Sequence, residues 1–193
     1  EGGKAARAAD LCRRAIALRQ KAHGPADPGI VAVRRVLAEA LYADGKPEQA
    51  VAEGRAILEW VSSRDDATPL DAAVAKDSLA TYMLAAGEIE EARSLLRESA
   101  RLFEQDSGPG SRQTLAAMHR LAVTYVAMDE LGEAERLVDE ALGRFSAADD
   151  VRTGGVAADL VGLRATIYRK TGRIKEAEQA EAAVRQAGND ARR

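Results

Sequence analysis

Two stretches decide the fold: Leu37-Ala38-Glu39-Ala40-Leu41-Tyr42-Ala43-Asp44-Gly45-Lys46-Pro47-Glu48-Gln49-Ala50 and Leu79-Ala80-Thr81-Tyr82-Met83-Leu84-Ala85-Ala86-Gly87-Glu88-Ile89-Glu90-Glu91-Ala92. Each carries Leu-Ala, then a large apolar residue four places before a glycine, then an alanine five places after it. The mark returns at Asp129 with Ala134 and at Gly172 with Ala177, so successive marks lie 42, 42 and 43 residues apart. Forty-two residues before Gly45 stands Gly3, with Ala8 five places on, which predicts a fifth and partial copy. A fixed period of this length signals a repeat architecture.

Further columns hold the same frame. Ala38, Ala80, Ala122 and Ala165 all stand seven residues before the mark, and Leu37, Leu79, Leu121 and Arg164 stand eight before it. Leu41, Met83, Tyr125 and Tyr168 lie four before it, Pro47, Ile89, Leu131 and Ile174 two after it, and Val61, Phe103 and Phe145 sixteen after it. These offsets are helical, so each unit holds two helices with the mark in the turn between them. Glycine suits the left-handed residue that ends a helix, and Asp129 adopts the same conformation at some cost.

Asp27-Pro28 and Thr68-Pro69 read as N-cap followed by proline in a first helical turn. Connections between units fall at His23–Gly29, Ser63–Pro69, Asp106–Arg112 and Ala147–Gly155, where Gly, Pro, Asp and Ser gather. First helices are expected near 29–44, 70–86, 112–128 and 156–171, and second helices near 4–22, 46–62, 88–105, 130–146 and 173–187. The alanine columns let paired helices approach closely, while the Leu, Met, Tyr and Phe columns fill the volume between pairs. A pair cannot bury its apolar face alone, so pairs stack.

Composition agrees. Alanine supplies 41 of the 193 residues and aromatics only 4%, which favours helix over sheet. With 28 basic and 31 acidic side chains, a net of -3, the chain has no single-sign field for nucleic acid or an anionic membrane. The lone Cys12 excludes an internal disulfide and a multi-cysteine metal centre. With no secretory segment, it fits a cytoplasmic setting. The chain opens on Glu1, which reads as a piece of something longer.

In these residues the chain resembles a tetratricopeptide repeat protein. The likeness is carried by Leu37-Ala38, Leu41 and Gly45 with Ala50, by Leu79-Ala80, Met83 and Gly87 with Ala92, by Leu121-Ala122, Tyr125 and Ala134, and by Ala165, Tyr168 and Gly172 with Ala177. The period exceeds the usual ~34 residues. The connection His23-Gly24-Pro25-Ala26-Asp27-Pro28 is similar to that of the longer repeats of the kinesin light chain subgroup, which is also found in bacterial regulatory proteins.

The resemblance implies an all-α, right-handed superhelical solenoid of antiparallel helix pairs. It would form one domain over 1–193, with a half repeat at 1–28 and repeats at 29–69, 70–111, 112–155 and 156–193. It departs from the family in lacking the early bulky aromatic, since Arg34, Lys76, Met118 and Val161 fill that column, and in having Asp129 and Arg164 at turn and leucine positions.

The resemblance further implies a groove lined by first helices that holds a peptide or a partner helix. Its positions here would be Arg35, Glu39 and Tyr42, then Asp77, Ser78, Thr81 and Leu84, then His119, Arg120 and Val123. The Lys and Asn pattern that clamps chaperone tails is missing. The expected function is a protein–protein interaction scaffold. The alternative is a peptide-sensing regulatory domain that controls an attached output domain.

No catalytic signature is present: no phosphate loop, no His-Glu-x-x-His and no Gly-x-Ser-x-Gly. No enzyme activity, cofactor or metal is therefore expected. His23 and His119 stand 96 residues apart, and Asp65-Asp66 and Asp149-Asp150 read as solvated loops. Cys12 and Trp60 read as packing residues. Only Arg192-Arg193 forms a basic run at the C-terminus. Helix 4–22 lacks a first helix of its own, so the face with Leu11, Ala15 and Ile16 is expected to be uncovered, to be met by an upstream repeat or by a second copy. The last helix, with Lys175, Glu176, Gln179, Glu181 and Gln186, reads as a polar end cap.

Overall fold

The computed structural model describes residues 2–25, 27–145 and 155–190, with side chains from residue 3 to residue 182 of these. Among them lie nine α-helices and no strand: α1 Gly2–His23, α2 Pro28–Ala43, α3 Pro47–Ser62, α4 Pro69–Ala86, α5 Ile89–Ser107, α6 Arg112–Ala127, α7 Leu131–Gly143, α8 Val156–Lys170 and α9 Ile174–Asp190. Every helix expected from the repeat frame is present. Asp149-Asp150, Arg192-Arg193, the Gln186 side chain and most of the 147–155 connection lie outside the described residues.

The turn marks behave alike. Gly45, Gly87 and Gly172 have φ of 72°, 83° and 78°, and Asp129 has φ of 60°. At each mark the next residue's N–H reaches back to the column of large residues: Lys46 to the Leu41 carbonyl, Glu88 to Met83, Glu130 to Tyr125 and Arg173 to Tyr168, at 2.8–2.9 Å. The mark's own N–H bonds three residues back, to Tyr42, Leu84, Val126 and Arg169. This is the Schellman arrangement, which satisfies helix-end carbonyls and hands the chain directly to the next helix. Gly3 does not repeat it. It lies inside α1 without a left-handed φ, because the helix already runs from Gly2.

Caps open the first helices as expected. Asp27 accepts from the Gly29 N–H at 2.9 Å. Thr68 and Asp71 form a reciprocal capping box, with Asp71 N–H donating to the Thr68 hydroxyl and Thr68 N–H to the Asp71 carboxylate.

Ala38, Ala80, Ala122 and Ala165 are buried, as are Ala50, Ala92, Ala134 and Ala177. A larger side chain at these contacts would force the helices apart. The helices divide into two compact units, Glu1–Leu95 and Leu96–Arg193, with the boundary inside α5. In the first unit α1 packs on α2, α2 on α3 and α3 on α4; in the second, α6 packs on α7, α7 on α8 and α8 on α9. Val31, Ile57, Val61 and Ala75 form a core cluster in the first unit, with Trp60 packed against it and the Arg64 guanidinium 4.6 Å over the Trp60 ring. Ala165, Ala177 and Ala180 anchor a cluster in the second.

Two expectations about α1 are corrected. Ile16 is buried, and Ala9 rather than Ala8 is the fully buried alanine; the α1 residues standing clear are Leu11 and Leu18, at 54% and 68% exposure. The cause is rotation: α1 turns Ala9, Cys12 and Ile16 inward, and α2 covers that stripe. Cys12 is buried, and burial raises its thiol pKa, as befits a packing residue.

Arg164, at a leucine position, is explained by its surroundings. It forms an ion pair with Asp139 at 3.5 Å, while Arg173 holds Glu135 through two hydrogen bonds of 2.8 and 2.6 Å. Asp139 stands where the two preceding repeats carry Arg55 and Arg97, and Arg173 where they carry Glu88 and Glu130. The signs in these two columns are thus reversed between α7 and the turn into α9.

Candidate functional site

Within the first unit, α2 and α4 gather the expected surface around a gap left by one residue. Gly54 of α3 is buried, and a Cβ there would lie 3.0 Å from a Leu79 methyl and 3.3 Å from the Tyr82 ring. In this column α1, α5 and α7 carry Cys12, Leu96 and Val138, all buried, and the last helix carries the half-buried Glu181. A Leu79 methyl and the Tyr82 ring close in on the space that Gly54 leaves. A cavity of about 100 Å³ remains, bordered by Arg35, Glu39, Ile57, Val74, Ser78 and Tyr82.

Tyr42 and Tyr82 form a tilted ring pair, centroids 5.6 Å apart. Tyr42 is 43% exposed whereas Tyr82 is 7% exposed, so one ring is offered to solvent and the other supports it. Burial and the nearby Glu39 carboxylate raise the Tyr82 pKa, so its hydroxyl stays protonated and able to donate. Among the described residues, no hydrogen bond or ion pair engages the side chain of Arg35 or Glu39. These charges of opposite sign, one helical turn apart, therefore keep a donor fork and an acceptor in reserve.

Of the other expected positions in this unit, Asp77, Ser78 and Leu84 are half-buried, and the Thr81 hydroxyl donates to the Asp77 carbonyl at 2.9 Å. The structure brings Arg35, Glu39 and Ser78 to one cavity; Asp77, Thr81 and Leu84 do not line it. Gly54 and Tyr82 belong to the site although the family resemblance does not point to them. The glycine in an otherwise larger column is the sequence signal that marks the place.

In the second unit, His119 and Arg120 are half-buried on α6 and Val123 is 38% exposed. Burial lowers the His119 pKa from its ordinary 6.5, with Asp159 opposing and Arg120 reinforcing the shift. The imidazole is neutral at pH 7 and offers one donor and one acceptor. Among the described residues no three His, Cys, Asp or Glu side chains gather as metal ligands, and no helix is long and apolar enough to cross a membrane.

Paired helices, left-handed turn marks and buried alanine contacts define an all-α repeat solenoid. Two models of the tetratricopeptide repeat match the chain, one over residues 71–147 and one over 2–29. The chain belongs to the tetratricopeptide repeat family, whose repeats are generally protein–protein interaction modules, and its fold is kinesin-light-chain-like.

Among solved structures, it is similar to a variant of a Podosopora anserina kinesin light chain type protein with nearly identical TPR-like repeats. That match has a TM-score of 0.84 at 21% identity and covers 98% of this chain and 89% of that one. BtubC (BKLC) from P. vanneervenii matches with a TM-score of 0.70 at 19% identity, covering 97% and 73%. MamA matches with 0.63 at 18%, covering 93% and 89%. No curated protein matches the sequence.

Proposed function

We propose that this chain is a protein-binding scaffold that captures an extended segment of a partner on the surface of its first helices. In the first unit that surface is Arg35, Glu39, Tyr42, Asp77, Ser78, Thr81 and Leu84; in the second it is His119, Arg120 and Val123. The observation that carries the reading is the exposed Tyr42 ring, backed by Tyr82, beside Arg35 and Glu39 side chains that have no hydrogen bond or ion pair among the described residues. A peptide backbone presents carbonyl and N–H groups in alternation, and a guanidinium beside a carboxylate offers a counterpart to each. Rigid helices hold these groups in place before binding, which lowers the ordering cost of capture.

The test is selection of binders from a displayed random-peptide library on the full chain. Peptides that bind the wild type should bind Arg35→Glu and Tyr42→Ala about tenfold more weakly or worse, a loss of the size expected for truncating a central anchor. Helical circular dichroism and melting temperature should stay unchanged. Equal binding by both variants would place the working surface elsewhere.

A further inference from the structure

Two clefts beside the second helices repeat with the period of the sequence. One of about 450 Å³ lies within the first unit, and one of about 460 Å³ within the second. Moving each of Arg55, Leu79, Met83, Glu91, Ser94 and Leu95 forward by 42 residues gives Arg97, Leu121, Tyr125, Glu133, Arg136 and Leu137, and both sets line their clefts. The frame is the same, but the chemistry is not.

In the second cleft the polar groups are engaged. Arg97 donates to the Tyr125 hydroxyl at 2.8 Å, Arg136 pairs with Glu133, and Arg144 holds Glu140 at 2.7 Å. In the first cleft, Met83 replaces the tyrosine and the small Ser94 replaces Arg136, which leaves the mouth open over Leu58, Leu79, Met83 and Leu95. One guanidinium and two carboxylates, Glu59 and Glu91, line the cleft, and a third carboxylate, Glu88, holds that guanidinium from beside it. Arg55 donates to Glu88 at 2.6 Å and to Glu91 at 3.1 Å, while the Glu59 carboxylate has no hydrogen bond or ion pair among the described residues.

We propose that the first cleft is a second binding site, separate from the first-helix surface. Its ligand is a polypeptide segment that presents a leucine or methionine side chain beside a lysine or arginine. The floor is aliphatic and methionine-bearing, and its volume falls in the range of specific pockets. A side chain entering it buries apolar surface, which supplies the attraction. The surplus of carboxylate at the rim selects a cation next to that side chain and repels an acidic neighbour. The second cleft, with its charges matched internally, does not take the same ligand.

The experiment is methyl NMR on the full chain with two capped peptides, Ac-Lys-Leu-Leu-Lys-amide and Ac-Glu-Leu-Leu-Glu-amide. The lysine peptide should shift the methyl signals of Leu58, Leu79, Met83 and Leu95 saturably, and leave those of Leu121 and Leu137 in place. The glutamate peptide should bind about two- to fivefold more weakly or worse, the scale of a partly exposed charge contact. Glu59→Gln should weaken the lysine peptide by a similar factor at an unchanged melting temperature. Ser94→Arg, which copies the residue at the matching place in the second cleft, should abolish the saturable shifts while helical circular dichroism is retained. Equal affinity for the two peptides, an absence of shifts at those four residues, or binding that survives Ser94→Arg would overturn the proposal.

Discussion

Asp129 holds a conformation that its three counterparts give to glycine, with φ of 60° where Gly45, Gly87 and Gly172 have 72–83°. An L-residue is strained there by its Cβ against neighbouring backbone, and aspartate tolerates the position better than most. Asp129→Gly should therefore stabilise the protein by about 0.5–1 kcal/mol, read as a higher urea midpoint at unchanged slope. A lower midpoint would mean that the Asp129 side chain contributes something beyond occupying the turn.

His119 gives a second prediction at this scale. Its folded pKa lies below its ordinary 6.5 because burial disfavours the charged ring. The unfolded chain then binds the proton more readily, so stability is full well above that ordinary value and falls as pH drops through it toward the lowered folded value. His119→Gln should flatten the stability profile in that window only. Glu135, held below the usual carboxylate range by its hydrogen bonds from Arg173, acts in a separate and more acidic window. Its contribution is present above the ordinary carboxylate pKa and is lost as pH falls through its lowered value. A profile unchanged by His119→Gln would show that the imidazole is solvated in solution.

At the scale of elements, Arg164 is the informative departure. It occupies a leucine column, pairs with Asp139 and leaves its Nε buried without a hydrogen-bond partner. Arg164→Leu removes that unmet donor and restores apolar packing, and Asp139 is exposed enough to be solvated once released. The variant should be more stable by about 1 kcal/mol, as measured by denaturant unfolding; a loss of stability would show that the exchanged signs hold α7 and α8 together.

The helices and their turns are legible in the sequence because each is set by local signals: glycine or aspartate at the mark, proline after a cap, and alanine at fixed offsets. The partner of Arg164 is not, since Asp139 lies on another helix and their meeting depends on packing. The same holds for the cavity under Arg35. It needs Gly54 and Tyr82 together, and neither residue alone announces a space. The rotation of α1 escapes the sequence because offsets copied from later repeats place Ala8, not Ala9, on the buried stripe.

At the scale of the whole molecule, a stack of repeats has a stability close to a sum of pair and neighbour terms. Thr68→Ala removes the α4 cap and should cost about 1 kcal/mol. Combined with Asp129→Gly, with which it shares no partner, its effect should add to within about 0.5 kcal/mol. Strong coupling between the two would mean that the helices do not behave as a stack of near-neighbours. Likeness to solved structures at 18–21% identity fits the same physics, because the turn marks and small contacts fix the frame while the filling varies.

The Gly54–Tyr82 fit bears on how these repeats can be exchanged. Gly54 belongs to the second helix of one pair and Tyr82 to the first helix of the next, and the same two columns hold Cys12 with Ala40, Leu96 with Thr124 and Val138 with Ile167. A swap cut at the long connections, pair for pair, parts each residue from its mate and lays a tyrosine against a leucine or strands a glycine beside a threonine. The transplantable cassette runs from one turn mark to the next, 46–87 for instance, across the boundary by which such repeats are ordinarily counted.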